Sequence, residues 1–77
     1  MTITVNFFAS LRNSIGIDSS NVDPAAAATA ADVWRISTDG REFPPNTLVA
    51  INMEYADPGQ PVKDGDEVAF FPPVTGG

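Results

Sequence analysis

The sequence predicts an α+β domain in which a mixed sheet packs against two helices, and three observations lead there. Thr2 to Phe8 alternates with period two, Glu67 to Phe71 is a second apolar stretch that runs into Pro72, and helical spacings lie between them. The 77 residues, 43% of them apolar, suit one small folded domain. We expect that domain to occupy residues 1–71 and an extended Gly-Gly tail to occupy residues 72–77.

In the first stretch Ile3, Val5 and Phe7 point one way and Thr2, Thr4 and Asn6 the other, a half-buried strand. Phe8 places an aromatic on the polar face. From Ala9 to Ile15 the spacing turns helical, with Phe8, Leu11 and Ile15 at steps of three and four, and Gly16 suits the residue just past a helix end. Ser19 to Val22 is a polar candidate for a second strand.

Two helix starts then compete. Asp23 can cap with Pro24 at the first helical position, or Thr29 can cap with Asp32 three residues on, a capping-box variant. The second is the firmer start, leaving Ala25 to Ala28 helical or looped. Val33, Trp34 and Ile36 supply the expected buried side, and Asp39-Gly40 ends the element. Glu42 to Asn46 is a loop, because Pro44-Pro45 cannot donate to a ladder.

Thr47 to Met53 reads as a strand, with Leu48, Ala50 and Asn52 on one face and Val49, Ile51 and Met53 on the other. Glu54-Tyr55-Ala56 is a short return strand, and Asp57-Pro58-Gly59 and Lys63-Asp64-Gly65 are turns. Asn52 suits a buried, turn-forming polar group. The first and last strands are the most apolar, so they should pair centrally, and the intervening helices leave room for a parallel pairing.

Composition removes most chemistry. There is no Cys and no His, so thiolate catalysis, an imidazole base and a structural zinc site are excluded. Asp64, Asp66 and Glu67 fall short of a calcium loop and read as a charged turn. Ten acidic residues against four basic ones give a net charge of −6. That sign argues against nucleic acid and against an acidic membrane surface, and favours a partner with a basic face. No signal peptide and no apolar run of about 20 residues is visible, so a cytoplasmic protein is expected.

What remains is the tail. Glycine lacks a side chain, so Gly76-Gly77 can thread a channel that any Cβ would block. Pro72-Pro73 ends the last strand and projects an extended path of about 20 Å over six residues. Such a tail presents one reactive group, the α-carboxylate of Gly77. A carboxylate is inert to acyl transfer until it becomes a mixed anhydride, and sulfur can then replace the leaving group to give a thiocarboxylate.

The run Asp64-Gly65-Asp66-Glu67-Val68-Ala69-Phe70-Phe71-Pro72-Pro73-Val74-Thr75-Gly76-Gly77 resembles the C-terminal signature of the molybdopterin synthase small-subunit family. Val5-Asn6-Phe7-Phe8-Ala9-Ser10-Leu11-Arg12 is similar to that family's first strand and helix start, and Val49-Ala50-Ile51-Asn52 to its middle strand. The resemblance implies a ubiquitin-like β-grasp fold. It also implies a sulfur-carrier subunit that is not catalytic on its own. An adenylating enzyme would activate Gly77, a sulfur donor protein would convert it to thiocarboxylate, and the tail would enter the large synthase subunit. There the sulfur would pass to cyclic pyranopterin monophosphate in molybdenum cofactor biosynthesis.

By the same resemblance Gly77 carries the sulfur and Gly76 threads, while Phe8, Arg12, Phe71, Pro73, Val74 and Thr75 face partners. No bound cofactor is implied, only an acyl adenylate derived from ATP, and the assembly would be a heterotetramer. The alanine-rich stretch from Ile17 to Ala31 lacks the family's apolar second strand, and Trp34 stands where leucine is frequent. Independently of the resemblance, Phe8 and Phe71 form one exposed aromatic patch if their strands are neighbours, unless helices cover that face. Arg12 suits either an acidic group of a partner or plain solvation. Carriers for thiazole or cysteine synthesis, a modifier joined to lysines through Gly77, and an interaction module with an unreactive tail are the alternatives.

Overall fold

A computed structural model describes residues 2–73. Its elements run β1 (Ile3–Phe7), α1 (Ala9–Ile15), β2 (Ser19–Val22), α2 (Ala30–Ser37), β3 (Leu48–Ile51), β4 (Glu54–Ala56) and β5 (Glu67–Phe71). The strands form one sheet in the order β2-β1-β5-β3-β4. β1 and β5 are neighbours and run parallel, with Val5 opposite Val68 and Phe7 opposite Phe70. The other three pairings are antiparallel. Parallel neighbours need a crossover, and here that crossover is most of the chain.

Both helices lie on one face. Ile3, Val5, Phe7, Val49, Val68 and Phe70 bury that side of the sheet against Leu11 of α1 and Ala30, Val33 and Trp34 of α2. Trp34 is the hub: its ring lies 5.8 Å from Phe7, 5.1 Å from Phe70 and 5.2 Å from Phe43. Its Nε1 donates to the Arg41 carbonyl at 2.8 Å, so the buried indole keeps its hydrogen bond.

α1 ends as its sequence suggests. Gly16 adopts φ 86° and donates to the Arg12 carbonyl at 2.9 Å, a left-handed cap that a Cβ would strain. α2 starts at the Thr29 capping box, where the Asp32 amide donates to Thr29 Oγ1 at 3.3 Å and the Thr29 amide donates to Asp32 Oδ2 at 3.2 Å. The rival start is a turn, in which Asp23 Oδ1 accepts from the Ala25 amide at 2.9 Å and no helix follows.

Three readings are corrected. Ile36 is not buried but 37% exposed. Ala30, Val33, Trp34 and Ser37 define the packed side, and Ile36 falls roughly 110° around the helix from its centre at 100° per residue. The strand read over Thr47 to Met53 stops at Ile51, because Asn52 (φ 52°) and Met53 (φ 70°) are the two-residue turn of the β3–β4 hairpin. Asn52 is accordingly exposed rather than buried. The second strand does form, and its polarity follows from its place: β2 is an edge, buries only Val22, and needs pairing on one side alone.

Candidate functional site

The face of the sheet opposite the helices is open. Alternation along β1, β3 and β5 turns Asn6, Ala50, Glu67, Ala69 and Phe71 toward it, and small side chains at Ala50 and Ala69 leave a depression. Phe8, which follows β1, and Met53 and Tyr55 of the β3–β4 hairpin complete its lining. Together these eight residues line an open groove of about 360 Å³. Phe8 is 48% exposed, Tyr55 77% and Met53 91%, and the Tyr55 and Phe71 rings lie 5.9 Å apart. Exposed large apolar groups gathered in one place mark an interaction surface rather than scattered surface hydrophobes.

The strand neighbours therefore bring Phe8 and Phe71 to one uncovered face, as the alternation required. Arg12 does not join them: it lies on α1, where its Nε is 3.6 Å from Asp18 Oδ1 across exposed surface. Pro73 lies in a second cleft, formed by Pro72, Leu11, Ile15, Arg41 and Pro44-Pro45. The end of β5 thus sits between two surfaces, the open groove at Phe71 and the cleft at Pro72-Pro73. Val74, Thr75, Gly76 and Gly77 lie outside the described residues.

Sequence reasoning missed Tyr55 and Met53. For Tyr55 a signal existed, since a tight hairpin places it opposite Ala50, on the face away from Val49. Met53 was assigned to a strand, and only the turn carries it to the open face.

The hairpin is fastened to β5 by polar groups. Asn52 Nδ2 donates to Asp66 Oδ1 at 2.9 Å, Asn52 Oδ1 accepts from the Glu67 amide at 3.0 Å, and Asp66 Oδ2 accepts from the Lys63 amide at 2.9 Å. Asp66 is only 5% exposed. The Asn52 donor above all holds its carboxyl below the ordinary value of 3.8; burial opposes it, and the Lys63 amide and ammonium add smaller lowering effects. A carboxyl depressed in the folded state contributes stability that is complete above its unfolded pKa and lost as pH falls through the folded one. Urea midpoints should therefore drop below about pH 4, and Asp66→Asn should flatten part of that acid limb. An unchanged limb in Asp66→Asn would refute the assignment.

Asp32 is also held below 3.8, chiefly by the Ala28 amide and the Arg35 guanidinium. Among the described residues no group of three or more His, Cys, Asp or Glu is placed to hold a metal ion. No helix among them is long and apolar enough to cross a membrane.

A family model for the ThiS family matches residues 5–77, from β1 to the last glycine. The chain belongs to the ThiS family. The molybdopterin synthase sulfur carrier subunit of Haemophilus influenzae is 37% identical to it, over 97% of this chain and 99% of that relative. Among solved structures, SAMP1 from Haloferax volcanii superposes with a TM-score of 0.76 at 30% identity, covering 100% of both chains. A chain from the complex of subunits 1 and 2 of the molybdopterin-converting factor of Helicobacter pylori superposes with a TM-score of 0.67 at 26% identity, again over 100% of both. This ThiS-family chain is thus a ubiquitin-like β-grasp domain, with the mixed five-stranded sheet and two helices expected of it.

Proposed function

We propose that this ThiS-family protein is the sulfur-carrier small subunit of a molybdopterin synthase, working in the cytoplasm and acting only when joined to a large subunit. The observation that carries the reading is the junction at Phe71. Phe71, the last residue of β5, lines the exposed groove, and the chain continues from it through Pro72-Pro73 toward Gly76-Gly77. A partner seated on the groove would therefore receive the tail at a fixed starting point, which is the orientational help an entering reactive group needs.

In this reading the Gly77 carboxylate attacks the α-phosphate of ATP on an activating enzyme, releasing pyrophosphate and forming an acyl adenylate. Sulfide-level sulfur from a donor protein displaces AMP, leaving a thiocarboxylate, and the large subunit receives the tail and passes the sulfur to cyclic pyranopterin monophosphate, returning Gly77 to a carboxylate. Gly76 threads, Val74 and Thr75 line the path, and Phe8, Phe71 and Pro73 are the contact points beside it. Arg12, off the groove, would meet a partner only at the α1 edge. The identity to the Haemophilus influenzae carrier supports the pathway, and the Helicobacter pylori complex of two subunits supports a large-subunit partner.

Capture from native cytosol, with the tag on the N-terminus so that Gly77 stays free, tests this. A molybdopterin synthase large subunit together with an adenylating enzyme is the expected catch. An adenylating enzyme with a thiazole or cysteine synthase would keep the tail chemistry and overturn the pathway. A second reading is favoured by the likeness to SAMP1, a small archaeal modifier protein. In it the activated Gly77 is joined to lysines, and a ladder of isopeptide-linked conjugates in the same lysate would reveal it.

A further inference from the structure

Five residues other than glycine adopt positive φ among those described: Ala9, Asp39, Asn46, Asn52 and Met53. Three are Asn or Asp, whose short polar side chains tolerate the left-handed region. Met53, at φ 70°, has no such reason. It occupies the second position of a two-residue hairpin turn whose first residue is Asn52. Positive φ at both positions is the pattern that favours Asn-Gly, so glycine is the residue this turn asks for. Methionine instead strains the backbone and leaves a long apolar side chain 91% exposed. A local rule broken without structural gain points to function.

The geometry shows what the strain accomplishes. Met53 lines the groove from the β3–β4 turn, together with Phe8, Tyr55 and Phe71, and the Tyr55 ring lies 5.9 Å from that of Phe71. A glycine there would leave the hairpin end of the groove without a wall. The unbranched thioether adapts to an irregular apolar recess and packs well on aromatic rings. The surroundings are acidic: Glu67 lines the groove, Glu54 follows Met53 in the chain, and no Lys or Arg is among the groove's lining residues.

We propose that Met53 is a docking anchor, a side chain held in a strained turn so that it enters an apolar recess, rimmed by Lys or Arg, on the large synthase subunit. This rests on the sulfur-carrier reading and adds a specificity-determining residue to it. The groove is the right place for that occupant because it is continuous with the tail: a partner covering Met53, Tyr55 and Phe71 already holds the strand that delivers Pro72 and Pro73. The basic rim follows from Glu54, Glu67 and the net charge of −6. Tyr55 and Met53 supply the aromatic and apolar bulk that interface centres favour.

The test uses the full chain with its native C-terminus and the molybdopterin synthase large subunit from the same organism, titrated calorimetrically. Met53→Gly should raise the Tm of the free chain by about 4 °C, since the strain is relieved, and weaken the Kd at least about tenfold. Met53→Leu, apolar and of similar size, should restore the Kd to within about threefold of wild type. A lower Tm in Met53→Gly would overturn the strain argument. A Met53→Gly Kd within about twofold of wild type, or a Met53→Leu Kd as weak as the glycine variant's, would overturn the anchor while leaving the carrier reading standing. Failure of the wild-type chain itself to bind would overturn both.

Discussion

Deleting Gly77 will abolish thiocarboxylate formation and sulfur transfer while leaving the fold and its Tm unchanged. The reason lies in covalent order: among the described residues the buried apolar core runs from Ile3 to Phe70, and Gly77 has no side chain to add to it. Gly76→Val should have a nearly equal effect by another route. It keeps the carboxylate but adds a branched Cβ where the proposed path admits none, and a misplacement of about 1 Å at a reacting group costs roughly 100-fold in rate. The measurement is mass spectrometry of the C-terminal peptide after incubation with ATP, activating enzyme and sulfur donor. Localisation to that peptide is essential, because replacing oxygen by sulfur shifts the mass almost as much as oxidising Met1, Met53 or Trp34. Wild-type levels of sulfur transfer from the Gly77 deletion would sink the carrier reading, and a plain interaction module would take its place.

Trp34→Ala should remove a large share of the domain's stability. A domain of this length is held by about 4–12 kcal/mol at the usual 0.05–0.15 kcal/mol per residue. Truncating a buried aromatic to alanine costs about 3–5 kcal/mol. Trp34 is 2% exposed and touches three other rings, so no neighbour can collapse into the space without disturbing Phe7, Phe43 or Phe70. Its removal also leaves the Arg41 carbonyl without the indole donor. The melting temperature read by far-UV circular dichroism should fall by at least about 12 °C, or the chain should be unfolded at 25 °C. Trp34→Phe keeps an aromatic hub and loses the hydrogen bond, so it should lie between the two. A Trp34→Ala melt within about 4 °C of wild type would refute the hub.

The β-strands flanking the site show how far local pattern reaches. Period two in Ile3–Phe7 and Glu67–Phe71 fixed which side chains share a face, and that property needs no knowledge of neighbours. Gly16 and the Thr29–Asp32 box were equally legible, since a cap is a contact between residues three or four apart. Ile36 was not: an apolar residue on a short helix is placed by the direction the helix presents to the sheet, and that direction is a tertiary fact. Met53 was not legible either. Continuing an apolar alternation through Asn52 was reasonable on pattern alone, and only the pairing of Ile51 with Glu54 shows the chain has already reversed.

The same division governs the site. By itself the sequence determined the chemistry available: no thiolate, no imidazole, an acidic surface, and a terminal Gly-Gly beyond two prolines, since composition and covalent order do not depend on folding. It also determined that Phe8 and Phe71 share the side opposite the core, because parity along a strand is local. The tertiary structure decided that this side is uncovered and that Tyr55 and Met53 complete it, while Arg12 stands apart. Those facts depend on strand order and on both helices choosing one face of the sheet, and burial of Trp34 against Phe7 and Phe70 makes that choice. A face is open or closed only by virtue of what packs against it, and packing joins residues far apart in the chain.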